Sequence, residues 1–281
     1  KNAAAGAVGV GADNGAAISM QGGALTIAHD TIPVQFTVTG SSVNGIEAQG
    51  GTINAKNASF TFNRNATGSH NTGILSEGGT VDLTRCTFTM PGENNRGIAS
   101  QIEEGGGVTG ENEYDTSVTD STFTINGNNN RGVYVSGGRT SISGSTLTVG
   151  GTGTNESNFG IEAAGGRVDA ENATINVYGT SSAGIYTSGT APQLNITGTF
   201  NCTVTQGQGT ELSSAATKAE GGTIAFETDN GGTINSNGVG IVVQGGTLTQ
   251  NSGTLTVNNW IEDLIGGQSH GGRGIYIASG N

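Results

Sequence analysis

The 281 residues include 52 Gly, 3 Pro and 2 Cys, with 11% charged and 5% aromatic side chains; this excludes an aromatic-rich globular core and, without a Gly-X-Y period, collagen. A formal charge of −12 with only ten Lys and Arg excludes a general nucleic-acid-binding surface, because phosphates would be repelled and no basic stripe exists. No apolar run approaches the ~20 residues of a membrane helix, and the opening KNAAAGAVGVG lacks a signal peptide's apolar core, so no membrane span is expected.

Glycine punctuates short β-branched runs, and the runs repeat. AISMQGG opens a unit at Ala17, followed by GIEAQGG at Gly45, GILSEGG at Gly73, GIASQIEEGGG at Gly97, GVYVSGG at Gly132 and GIEAAGG at Gly160. GIYTSGT at Gly184, ATKAEGG at Ala216, GIVVQGG at Gly240 and GIYIASG at Gly274 complete the series. Successive starts lie 28, 28, 24, 35, 28, 24, 32, 24 and 34 residues apart, near one coil of a β-helix with loops of variable size.

Each unit reads as three short strands. The first is Gly-Ile-x-(Ala/Val/Ser); the second follows the glycine pair, as in Thr52-Ile53-Asn54-Ala55 and Thr80-Val81-Asp82-Leu83; the third is of the Thr-Phe-Thr-Ile type. Period 2 then places Ile46, Ile74, Ile98, Val133, Ile161, Ile185, Ile241 and Ile275 in one inward column and Phe60, Phe88, Phe123, Leu147, Ile175 and Leu255 in another. One coil cannot bury its own apolar face, but identical positions in successive coils cover one another. The fold class is therefore all-β: a parallel β-helix of about ten coils of 24–35 residues, one domain over 1–281, with insertions near 101–120, 205–216 and 258–273. A β-sandwich would explain the strand lengths but not the column identity. Asn71, Asn95, Asn130 and Asn158 each fall two residues before a coil-opening glycine, which predicts an asparagine ladder, with positive φ supplied by the glycines at the corners.

The unit GI(Y/E)xxGGTVxLxNxTFTxxGxxxxGI over residues 17–281 resembles the right-handed parallel β-helix passengers of Gram-negative autotransporters, the pertactin-like group. The resemblance implies export across the outer membrane by a C-terminal barrel, an extracellular or cell-surface location, and an adhesive or self-associating role of the kind that serves virulence and biofilm formation. The coil pattern continues to the closing GIYIASGN, which predicts a fragment of a longer passenger.

Cys86 and Cys202 are read into one column, the small inward place otherwise filled by Ala58, Ser121, Ser145 and Ala173, about four coils apart. At ~4.8 Å per coil a disulfide is out of reach, so both are expected as buried free thiols. His29, His70 and His270 are scattered, giving no metal cluster, and no cofactor is expected. Pectin-cleaving enzymes share the β-helix and group their carboxylates on one face, whereas Asp82 and Asp169 share an outward column with three coils between them. Ser269-His270-Gly271-Gly272-Arg273 has a faint likeness to a polygalacturonase Gly-His-Gly loop, but the paired aspartates that should precede it are missing, so no enzyme is expected. The carboxylates Glu103, Glu104, Glu111, Glu113, Asp115 and Asp120 read as a solvated acidic loop rather than a calcium site.

Thr87/Thr89 repeat as Ser59/Thr61, Thr122/Thr124, Thr146/Thr148, Thr174/Asn176 and Thr254/Thr256, a polar ladder on the third face. Such an array also suits ice binding, though Thr is a good exposed strand residue in its own right. Recognition is expected where the repeat is broken: at Glu103, Glu104, Tyr114 and Asp115 in the acidic insertion, at Trp260, and at the outward Tyr134, Tyr186 and Tyr276, whose rings are available to sugars or a partner. The expected partner is a host-cell or matrix glycan or protein, or neighbouring copies of the chain in an end-to-end filament; nucleic acid is not expected.

Overall fold

The computed structural model of the chain describes residues 8–11, 15–63, 70–102, 114–151, 156–189, 191–205, 214–259 and 273–277. Each coil contributes one strand to each of three faces, and every strand pairs in parallel with its counterparts in neighbouring coils. Face 1 is a ten-stranded sheet running from Ala16–Met20 to Arg273–Ile277; faces 2 and 3 form a 17-stranded sheet that is continuous across the corner in Thr223–Ser236 and Thr247–Asn259. No helix long and apolar enough to cross a membrane is found among the described residues. The stack amounts to about seven turns, fewer than the ten coils counted from the glycine pairs. Ile275 continues the inward column yet is 62% exposed, whereas Ile46, Ile74, Ile98, Ile161 and Ile185 are fully buried.

The core is built of like residues stacked on like. Phe36, Phe60, Phe88 and Phe123 lie in consecutive coils with centroids 4.6, 4.7 and 4.7 Å apart and rings parallel within 7°. Leu147, Ile175, Cys202, Ile234 and Val257 continue this column. Two expectations are corrected here. Cys202 pairs with Ile175 rather than sharing the Cys86 column, because Glu171 faces Thr197 while Thr174 faces Asn201; the chain gains one residue between them and Phe200 takes the place over Ala173. Leu255 pairs with Gly232, two places before the column that Val257 fills, and the outward pair there is Thr256 and Asn258 rather than Thr254 and Thr256, since the strands slip in the irregular corner between Thr228 and Gly232. Both thiols are nevertheless buried and free.

The asparagine ladder is present. The side-chain oxygens of Asn71, Asn95, Asn130 and Asn158 accept from the backbone N–H groups of Val43, Asn71, Asn95 and Asn130 in the preceding coils, at 3.2, 3.1, 2.7 and 2.9 Å. Ser182 and Ser214 continue it, accepting from the N–H groups of Asn158 and Ser182. At the next corner Ser121 and Ser145 play the same part for the N–H groups of Cys86 and Ser121. Buried corner amides are thereby satisfied where no strand partner reaches them.

The coil-opening glycines serve a different purpose from the one expected. None of Gly45, Gly73, Gly97, Gly132 and Gly160 has positive φ; instead a Cβ on Gly97 would lie 2.5 Å from the Gly132 carbonyl oxygen and 3.0 Å from the Phe123 ring. These glycines let one coil approach the next. Positive φ belongs to the corners, at Asn57, Arg85, Asp120 and Asn172 among others, and to the second glycine of pairs such as Gly51 and Gly166.

Candidate functional site

The two outward columns of face 1 hold the largest cluster of aromatic and charged side chains. Arg96, Arg131 and Phe159 are register partners in three successive coils, and Tyr134, Glu162, Tyr186 and Lys218 are register partners in four. A strand side chain stands away from its sheet, so residues one coil apart in adjacent columns meet side by side.

The result is a stack along the coil axis. The Arg96 guanidinium sits 4.3 Å from the centre of the Tyr134 ring; Arg131 lies 5.7 Å from that ring and 5.6 Å from Phe159. Phe159 stacks on Tyr186 with centroids 5.2 Å apart and planes within 26°, and the Lys218 ammonium lies 5.5 Å from Tyr186. A 5.2 Å separation is close to the ~4.8 Å between paired strands, so these ring planes lie across the axis and turn their edges outward. The expectation that Tyr134 and Tyr186 offer faces to a sugar is therefore revised: cations and neighbouring rings occupy those faces. The tyrosines are also not isolated, since Phe159 and the arginines bridge them.

Ion pairs fix the stack unevenly. Arg131 donates through Nε to Glu162, and Lys218 pairs with Glu220, which also accepts from the Tyr186 hydroxyl at 2.6 Å. Burial and then the hydrogen bond to Glu220 push the Tyr186 pKa up to about 12, while the bonds from Lys218 and Tyr186 hold Glu220 below the usual carboxylate range. Arg96 differs. No ion pair or side-chain hydrogen bond engages its guanidinium among the described residues; burial and then the charge of Arg131 lower its pKa.

The remaining candidates fall elsewhere. Tyr276 lies on the last strand of face 1, three coils beyond Tyr186 in the same column, and is 37% exposed. Tyr114 is at face 2, where burial and then a hydrogen bond with Asp169 raise its pKa. Arg167 and Asn195 both donate to Asp169, at 2.9 and 2.6 Å. Asp115 is buried and its Oδ2 accepts the Arg139 N–H at 2.7 Å, so it acts as a corner anchor. Glu103, Glu104 and Trp260 lie outside the described residues, as do most of the insertions near 101–120, 205–216 and 258–273. Asp82 reaches Asp169 in register only through Ser117 and Ser141, a span of ~14 Å against the ~5–9.5 Å between glycosidase carboxylates. Among the described residues no group of three His, Cys, Asp or Glu is placed to hold a metal.

Arg96, Arg131 and Phe159 were missed as recognition candidates although each directly precedes a coil-opening glycine, in NRGI, NRGV and NFGI. That shared offset was the available signal. No protein-family model matches this chain, no curated protein matches it, and no solved structure matches it.

Proposed function

We propose that the chain is a non-catalytic adhesin of the autotransporter-passenger type, exported to the cell surface, whose rod contacts host cells, matrix or neighbouring bacteria through an outward face. The observation that carries the reading is the cation and aromatic stack of face 1, spanning the coils from Arg96 to Lys218. Face 3, by contrast, presents a small polar ladder through Ser59, Thr87, Thr122, Thr146 and Thr174. Large amphipathic side chains held rigid by their neighbours contact a partner with little ordering cost. The wide spacing of Asp82 and Asp169 supports a binding rather than a hydrolytic role. The test is a glycan and matrix-protein array with the purified chain, together with attachment of cells displaying it. Saturable binding on either supports adhesion; purified chain that binds neither, with displaying cells that attach no better than controls, overturns it.

A second reading is end-to-end assembly of copies into a filament, since the strand edges of a stack of parallel coils are of the kind that pair with further strands. Concentration-dependent filaments in sedimentation velocity and electron microscopy, lost on Ile275→Lys, support end-to-end assembly.

A further inference from the structure

We infer that Arg96, with Arg131 beside it, anchors the carboxylate or sulfate group of an acidic polysaccharide laid along face 1; this rests on the adhesion reading and specifies its ligand. Arg96 is half-buried and flattened on Tyr134 at 4.3 Å, so its planar fork is held in place. No carboxylate forms an ion pair or hydrogen bond with it among the described residues, where Glu162 acts on it only through its charge, although the chain carries 22 Asp and Glu against ten Lys and Arg. Toward the N-terminal end, Glu47 lies two coils away in the adjacent column and already accepts from Asn44 Nδ2 at 3.0 Å and Gln49 Nε2 at 2.6 Å. On the other side Glu162 engages Arg131 through Nε.

Arg96 and Arg131 are register partners on paired strands, and their like charges repel each other, which an anion at Arg96 relieves. The ligand chemistry follows from the surroundings. A flat sheet face encloses no small ion, so the anionic group must be carried on a longer chain that gathers contacts along the axis. A densely charged polymer such as nucleic acid is repelled by the net −12 and by Glu162 and Glu220 farther along the strip. A polysaccharide with spaced acid groups places one group at Arg96 and lays neutral hydroxyls past Tyr134 and Glu162. The ring edges suit this ligand, since the faces that would stack on sugars are taken.

The experiment is titration calorimetry of the folded chain with four probes: a sulfated oligosaccharide, an oligogalacturonate, a neutral cello-oligosaccharide and poly-glutamate. The two acidic saccharides, or one of them, should bind and weaken as salt is raised; the neutral one should not bind. Arg96→Gln should weaken binding by ~10-fold or more, Arg96→Lys should recover only part of it because the fork is lost, and Lys56→Gln, on face 2 and outside the stack, should change it little. Circular dichroism and melting should be unchanged in all three variants. Which acidic saccharide binds identifies sulfate or carboxylate as the recognised group. Binding that Arg96→Gln leaves intact, equal binding of poly-glutamate, or no acidic saccharide bound by the folded chain overturns the inference. Array binding to a neutral glycan or a protein with Arg96 irrelevant would sink this ligand and leave adhesion standing.

Discussion

Asn130 offers the sharpest test of what closes the coils. It is fully buried; its Oδ1 accepts the Asn95 N–H at 2.7 Å and its Nδ2 donates to the Gly92 carbonyl at 3.0 Å. Asn130→Ala removes both bonds while the backbone N–H of residue 130 keeps its own acceptor on Asn158. Two buried backbone groups, the Asn95 N–H and the Gly92 C=O, are then orphaned. At ~1–3 kcal/mol for each unsatisfied group the loss is about 2–6 kcal/mol. Asn130→Ser should cost less, about half, because Ser182 and Ser214 already act as acceptors on this ladder. Urea unfolding measures the total, and hydrogen exchange at the Asn95 amide reads the local effect, with faster exchange expected in the alanine variant and partial protection in the serine variant. A repeat protein can unfold in segments, so the exchange measurement carries the decision if the urea transition is not two-state. Asn130→Ala within about 0.5 kcal/mol of the parent, with Asn95 still protected, would refute the ladder as a source of stability.

Gly97→Ala should be strongly destabilising, with a Cβ 2.5 Å from the Gly132 carbonyl oxygen, whereas Gly22→Ala should be tolerated, having nothing within 4 Å; paired melting curves distinguish them. Phe88→Ala should cost ~3–5 kcal/mol in urea unfolding, since it opens a gap in a four-ring stack. Cys86 and Cys202 should resist alkylation in the native state and both react after denaturation without reductant, as checked by mass spectrometry. Burial raises the Cys202 thiol from 9.0 to about 12, so the folded state holds a proton that the unfolded state has lost. Stability from this group is complete below pH ~9 and declines toward pH ~12, at up to ~1.4 kcal/mol per pH unit; Cys202→Ala should flatten that slope while lowering stability at neutral pH.

Much of the fold was readable from the chain because stacking coils demand the same residue type at the same offset. Phe60, Phe88, Leu147 and Ile175 each fall nine residues after the second glycine of the pair, and Asn71, Asn95, Asn130 and Asn158 keep one spacing before the coil-opening glycine, so both columns stand out as soon as the repeats are aligned. The errors came where the offset changes. A single added residue before Phe200 moved Cys202 into the phenylalanine column, and the slipped corner near Gly232 moved Leu255 out of it. Local pattern marks a residue as inward or outward but does not reveal a one-residue insertion at a corner. The face 1 stack was hidden for a related reason: Arg96, Tyr134 and Phe159 belong to three different coils, and their contact exists only once the register is known. The ion pair of Arg131 with Glu162, where Arg96 has none among the described residues, depends on side-chain geometry that no spacing rule contains.

The asparagine and serine oxygens all accept from the coil before them, and this one-way arrangement bears on how such a chain changes length through evolution. Each coil presents the same donors on one side and the same acceptors on the other, so its two ends are interchangeable with those of any neighbour. Duplicating the 28-residue segment that begins at Gly132 and stops before Gly160 places the Asn158 oxygen of the second copy opposite the Asn158 amide of the first, while the Ser182 hydroxyl goes on accepting from the last copy. Unequal recombination between repeats can therefore extend or shorten the gene in whole-coil steps without inventing a new contact. The length of the rod becomes a trait adjusted by copy number, while the Arg96 neighbourhood stays intact as long as the breakpoints fall outside it.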